Sequence, residues 1–222
     1  MSAGIFVTGT GTEVGKTVVA AAIARTAAAE GRRVAVFKPA VSGLDDYAAS
    51  GAEPDQALLR RAAGSEQADA EIAPYRYGPP LSPHLAAELA GETIEPSVLR
   101  QAAADAASRA DLLVCEGVGG FLVPLSPDYL VRDLARDLGY PVAVAASPGL
   151  GTINHTLLTI EAVRAAGLDV AMVVMTPWPQ APSDLERSNR DTVERLGGAP
   201  VRSLPTLELG SPERWPALEY GR

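Results

Sequence analysis

Five short apolar runs recur along the chain: IFVTG (5–9), VAVFKP (34–39), LLVCEG (112–117), PVAVAAS (141–147) and VAMVVM (170–175). Most are apolar at every position and not at every second one, the pattern of strands covered on both faces of a parallel sheet. Parallel neighbours need a crossover of a dozen or more residues between them. Helix-like segments fill those gaps at Thr17 to Glu30, Pro54 to Ala63, Pro83 to Ala90, Pro96 to Ala107, Leu130 to Leu138, Thr152 to Ala166 and Ser183 to Leu196. Gly31, Gly64, Gly91, Gly139, Gly167 and Gly197 close several of them, as left-handed caps do. Val201 to Leu204 offers a further strand. The expected fold class is α/β, a doubly wound and mainly parallel sheet with helices on both faces. With no internal repeat and no long linker, residues 1–222 are expected to form a single domain. The Pro-rich TPWPQAP (176–182) reads as a loop after a strand.

Composition narrows the classes of function. Apolar residues make up 47% and charged residues 21%, and no run approaches the roughly 18 apolar residues of a membrane span. No membrane association is expected. The net charge of −8 disfavours a nucleic-acid partner, while leaving room for a few lysines to bind a small anion. One cysteine, Cys115, excludes an internal disulfide framework or a cysteine-rich zinc site, and its apolar strand makes it a core residue. The first residues lead into Ile5 to Thr8 without the features of a signal peptide, so a cytoplasmic location is expected.

The chemistry concentrates where runs end. GTGTEVGKT (9–17) lies between an apolar run and a helix, the context of a phosphate-binding loop. The common spelling has a glycine five positions before Gly15, whereas here that position is Thr10 and the glycine is Gly9. Backbone N–H groups and a helix N-terminus would hold phosphate oxygens, Lys16 would reach the β and γ phosphates, and Thr17 would ligate Mg²⁺. The expected architecture is thus P-loop NTPase-like.

Alone, Lys38 reads as the solvated end of a strand, yet it would emerge at the same sheet edge, where a second ammonium beside Lys16 could stabilise a transferring phosphoryl group. Ser42 is either a substrate contact or a turn serine. Asp55 follows Pro54 at a helix start, where a carboxylate serves the dipole as well as it would serve a metal. Glu116 ends a strand before GVGG, a placement suited to Mg²⁺, and Gly117, Gly119 and Gly120 allow close backbone approach. SPGLGTINH (147–155) offers another helix N-terminus for a carboxylate or phosphate. His84 and His155 read as polar packing residues.

Taken together, FVTGTGTEVGKT, KPAVSG, SPH, EGVGG and LGTINH resemble, in order, the motifs of the dethiobiotin synthetase family of biotin biosynthesis. The resemblance covers nearly the whole chain and includes the lengthened phosphate loop. It implies a Mg²⁺-dependent cyclo-ligase that uses ATP as co-substrate to join CO₂, or bicarbonate as its source, to 7,8-diaminononanoate. In the implied route, one amine forms a carbamate whose oxygen takes the γ-phosphoryl group, and the second amine closes a ureido ring as phosphate leaves.

Carried onto matching positions, the resemblance makes Lys38 and Lys16 catalytic and assigns Mg²⁺ to Thr17, Asp55 and Glu116. It places the nucleotide against Glu13, Val14, Gly15, Lys16, Thr17 and Val18, with Asp55, Glu116, Gly117, Val118 and Gly119 beside its phosphates. Thr12 and Ser42 are implied substrate contacts. Gly151, Thr152 and Asn154 are implied to receive the diamine's carboxylate from the neighbouring subunit of a homodimer.

The base end departs from the family pattern. Thr176 and Pro177 stand where Asn and an acidic residue are common, and a hydroxyl cannot make the paired donor and acceptor contact of an amide. With Pro205, Thr206 and Leu207 as the remaining base-side candidates, CTP or another triphosphate stays open as co-substrate. The alternative reading is a dimerising switch ATPase of the MinD or ParA type. Its loop carries a lysine where this chain has Gly11, and ERWPALEYGR holds a proline and two acids in place of a basic amphipathic helix.

Overall fold

The computed structural model describes residues 3–220. The chain runs through β1 (Ala3–Gly9), α1 (Lys16–Ala29), β2 (Val34–Phe37), β3 (Ala40–Val41), α2 (Leu44–Ser50), α3 (Asp55–Ala63), α4 (Asp69–Ile72) and β4 (Tyr75–Arg76). It continues with α5 (Pro83–Leu89), α6 (Pro96–Ser108), β5 (Leu112–Glu116), β6 (Pro124–Ser126), β7 (Tyr129–Leu130) and α7 (Val131–Leu138). The last elements are β8 (Val142–Ala146), α8 (Thr152–Ala165), β9 (Val170–Trp178), α9 (Asp184–Gly197), β10 (Val201–Pro205) and a short 3₁₀ turn at Pro212–Arg214.

Six strands form one wholly parallel sheet in the order β10-β9-β8-β1-β5-β2. Five of them had been legible as apolar runs, and β10, which carries Arg202 and Ser203, as the further strand at Val201 to Leu204. The reason for the unbroken hydrophobicity of such runs is visible in β1: Ile5 and Val7 face the layer of α1 and α3, while Phe6 faces the opposite layer with α6 and α7. A strand with helices on both sides has no solvent face on which to place polar residues. Full burial of a side chain such as Phe6 contributes about 1.5–3 kcal/mol.

The exposed edge at β2 is managed by a side chain. Gln67 Oε1 accepts from the Val36 N–H at 2.8 Å and its Nε2 donates to the Val36 carbonyl at 3.1 Å, mimicking a next strand. A cavity of about 230 Å³ adjoins this plug, lined in part by Val34, Ala35, Ala102, Ala106 and Arg109. It lies at the amino ends of β2 and β5, away from the loops that carry the candidate chemistry.

Two local expectations are corrected, and some small elements are added. Residues 176–178 are not loop: β9 continues through Trp178, which pairs with Pro205. Pairing with β8 ends at Met175, and beyond it β9 pairs only with β10, so Pro177 stands where one side of the strand needs no ladder N–H and the Pro-rich composition misled. The left-handed glycine after α9 is Gly198 at φ 57°, with Gly197 still helical and packed toward Ile160. Between Lys38 and Ser82, the chain also forms α2, α4 and the small β3–β4 pair, none of them foreseen, and β6–β7 makes a second small pair. Among the described residues, no helix is long and apolar enough to cross a membrane.

Candidate active site

Because every strand of the sheet is parallel, the loops leaving β1, β2, β5, β8, β9 and β10 share one edge. This is the edge at which ligands bind in such sheets. At its centre, residues 9–16 join β1 to α1. Gly15 caps α1 at φ 86°, a left-handed conformation that favours glycine, and the first-turn N–H groups have no intrahelical partner.

The altered loop has a physical logic. A Cβ on Gly9 would lie 2.6 Å from Val14 Cγ2 and 2.8 Å from Lys16 Cγ, so the side chains fold over that glycine. A Cβ on Gly11 would meet nothing closer than 4.0 Å. The position that must lack a side chain has therefore moved to Gly9. Glu13 completes the turn at φ 59°. Lys16 Nζ donates to the Gly11 carbonyl at 2.6 Å, so the lysine arches back over its own loop.

Beside this loop, four side chains from four segments meet. Lys38, one residue past β2, donates to Asp55 Oδ2 at 2.5 Å and to Glu116 Oε1 at 2.7 Å. Thr17, in the first turn of α1, donates to the same Glu116 oxygen at 2.8 Å. Asp55 is the first residue of α3, and Glu116 the last of β5. Tyr47 of α2 donates its phenolic proton to Asp55 Oδ1 at 3.0 Å.

The electrostatics follow from burial and pairing. Burial opposes the Lys38 charge, but Glu116 and Asp55 outweigh it and raise its pKa well above the lysine range. Burial of Asp55 is likewise outweighed by the Lys38 ammonium, which holds that carboxyl below its usual range. Glu116 goes the other way: its complete burial exceeds the pull of Lys38 and raises its pKa. Burial, aided by Lys38 and opposed by Glu116 and Asp55, lowers Lys16. Tyr47 is pushed up to about 12 by burial and by the Asp55 charge, so it remains a donor at neutral pH.

The donor set suits a hard divalent cation. Thr17, Asp55 and Glu116 present side-chain oxygens that could ligate one, and Glu116 Oε2 is buried without a hydrogen-bond partner. No group of three or more His, Cys, Asp or Glu residues capable of holding a metal ion occurs among the described residues. Mg²⁺ commonly takes only one or two protein carboxylates together with phosphates and waters.

A family model for an AAA domain matches residues 3–213. The ATP-dependent dethiobiotin synthetase BioD of Bacillus cereus (strain B4264) is 40% identical over 219 residues, covering 99% of this chain and 89% of that protein. Its namesake from Rhodococcus erythropolis is 42% identical, covering 92% of this chain and 88% of its own length. The chain belongs to the dethiobiotin synthetase family. The enzyme class read from the sequence, an ATP-dependent ligase, agrees with the names of these relatives. Among solved structures, a ParA family ATPase from Chlorobium tepidum TLS aligns with a TM-score of 0.56, covering 94% of this chain and 88% of that one. At 15% identity, that likeness shows the fold alone.

Of the positions matched to dethiobiotin synthetase motifs, Thr17, Lys38, Asp55 and Glu116 form the compact group just described, and Lys16 on the adjoining loop feels the charges of Glu116, Lys38 and Asp55. Gly117 adjoins it, its N–H bonded to the Val7 carbonyl, followed by half-buried Val118 and by Gly119 at φ 63°. Val14 and Val18 are partly buried against the α1 layer, and Thr12 is exposed on the loop. Ser42 is half-buried just beyond β3.

The outlying positions are more varied. Gly151 and Asn154 are exposed at the start of α8, whereas the Thr152 side chain is buried with its hydroxyl 3.3 Å from that of Thr156. Thr176 is buried, and a Cβ on Gly15 would lie 2.5 Å from its methyl. Pro205 and Thr206 lie at the end of β10, and Leu207 packs on the α1 layer.

Sequence reasoning missed two residues of this edge. Tyr47 lies in a short helix that carries no apolar periodicity. Asn189 of α9 donates to the carbonyls of Pro148 and Gly149 at 2.9 and 3.0 Å, bracing the 147–151 loop. Nothing in a polar helix distinguishes such an asparagine from a solvated one.

Proposed function

We propose that this protein is a Mg²⁺-dependent dethiobiotin synthetase, closing the ureido ring from 7,8-diaminononanoate, CO₂ and a nucleoside triphosphate. The observation that carries the reading is the meeting of Lys38, Asp55, Glu116 and Thr17 beside the phosphate loop that carries Lys16. Membership in a family of ATP-dependent ligases supports it.

In the proposed sequence, one amine of the diamine attacks CO₂ and loses a proton, giving a carbamate. A carbamate oxygen attacks the γ-phosphorus, and the nucleoside diphosphate leaves. The second amine then attacks the carbamoyl carbon, losing a proton and expelling phosphate as the ring closes. Lys38 stabilises negative charge on the carbamate and the moving phosphoryl group, and Lys16 does so from the loop side. The first-turn N–H groups of α1, with Glu13 to Val18, hold the phosphates. When bound through Thr17, Asp55 and Glu116, Mg²⁺ neutralises phosphate charge. Thr12 and Ser42 orient the diamine, and orientation supplies much of the acceleration in a reaction joining separate molecules.

The remaining parts of the reading are a homodimer, a cytoplasmic location and an open choice of base. The start of α8 suits an intersubunit contact: Leu150 is 91% exposed beside Gly151 and Asn154, where the diamine's carboxylate would be received from a second copy. Thr176, Pro205, Thr206 and Leu207 flank the base end, and Thr176 lacks an amide's paired donor and acceptor.

The test is phosphate release with 7,8-diaminononanoate and bicarbonate, run with ATP, CTP, GTP and UTP in turn. Release that requires the diamine is expected with at least one of them. Release independent of the diamine with all four would favour the switch ATPase instead.

A further inference from the structure

Asp55 is the first residue of α3, and no side chain caps that helix at Pro54. Its backbone is fixed by the helix, but its carboxylate, 25% exposed, is free to rotate toward solvent unless something holds it. One oxygen holds Lys38, at 2.5 Å; the other accepts from Tyr47 at 3.0 Å. Tyr47 is itself anchored by α2, whose start is tied down by the Leu44 N–H to the Tyr77 carbonyl at 3.2 Å and the Asp45 N–H to the Gly78 carbonyl at 3.0 Å. The phenol thus takes the Asp55 oxygen that the ammonium leaves free.

We infer that Tyr47 is a positioning residue, which pins Oδ1 of Asp55 so that Oδ2 stays directed at the group formed by Lys38, Thr17 and Glu116. The inference rests on the reading in which Asp55 faces Mg²⁺. A carboxylate held at one oxygen presents the other in one direction, and second partners of this kind commonly change metal affinity by about 10–100-fold. Phenylalanine keeps the ring and removes only the donor.

Mn²⁺ binding, followed by electron paramagnetic resonance on the full chain with ATP and without diamine, tests this in wild type, Tyr47→Phe, Asp55→Asn and the double variant. Tyr47→Phe is expected to weaken Mn²⁺ binding about tenfold, with an unchanged unfolding temperature. In the Asp55→Asn background, the same change is expected to add nothing. Wild-type Mn²⁺ affinity in Tyr47→Phe, alongside weakened binding in Asp55→Asn, overturns the role of Tyr47 alone. Unchanged affinity in Asp55→Asn overturns the metal reading of Asp55, and the inference with it. Equal weakening by Tyr47→Phe in both backgrounds means that Tyr47 acts elsewhere, and likewise overturns it.

Discussion

Lys38 Nζ lies 2.7 Å from Glu116 Oε1, two groups 78 positions apart in the chain and both buried. The contact joins the end of the edge strand β2 to the end of its neighbour β5. Glu116 Oε1 also accepts from Thr17, so a single carboxylate oxygen ties the helix of the phosphate loop to the candidate catalytic lysine.

Replacing Lys38 with Met should therefore have two effects. Loss of the ammonium is expected to lower turnover about 10²–10³-fold. Leaving Asp55 and Glu116 without their shared cation should also destabilise the fold by about 3 kcal/mol at neutral pH. Diamine-dependent phosphate release and urea unfolding of the same preparation measure both, and near-normal turnover would remove Lys38 from the chemistry.

The stability cost should depend on pH in a defined direction. Lys38 has a folded pKa raised above its unfolded value of 10.5. Its contribution is therefore fully present below about pH 10.5 and is lost as pH climbs through the folded value. The stability gap between wild type and Lys38→Met should be constant between about pH 8 and 10 and narrow above that. A gap that widens at alkaline pH would contradict the pairing.

Thr17→Val removes the hydroxyl that Glu116 accepts from, with little change in shape. The Mg²⁺ concentration needed for half-maximal phosphate release is expected to rise about tenfold or more. An unchanged metal titration would separate Thr17 from cation handling.

Gly15→Ala places a methyl group at φ 86° and 2.5 Å from the Thr176 methyl. The left-handed backbone costs about 1–2 kcal/mol, and the overlap about 1–3 kcal/mol more. Adding Thr176→Ser removes the opposing methyl, so the double variant should regain the second part and not the first. Strict additivity in a denaturation cycle would show that the two residues do not press on each other.

Much of this arrangement is legible in the sequence, because strands covered on both faces leave continuous apolar runs and because Lys38 and Glu116 interrupt apolarity where those runs end. LDDYAAS could not be read in the same way: seven residues with no apolar face give no period to detect, and Tyr47 was lost with them. In TPW, proline composition outweighed strand pairing that only a neighbouring strand could reveal. The pair Gly197 and Gly198 offered two equivalent places for one left-handed cap, and the packing of Gly197 against Ile160 decided between them.

The strand order also sets a scale. From β10, which leads into Thr206, to β2, which leads into Lys38, the sheet crosses five gaps. At about 4.8 Å per gap, that is roughly 24 Å. Residues so far apart without shared partners contribute to free energy almost independently. On the proposed reading, in which the base lies toward β10 and ring closure toward β2, a change of preferred base could then accumulate by substitution with little disturbance of ring closure, leaving the fuel free to drift while the product stays the same.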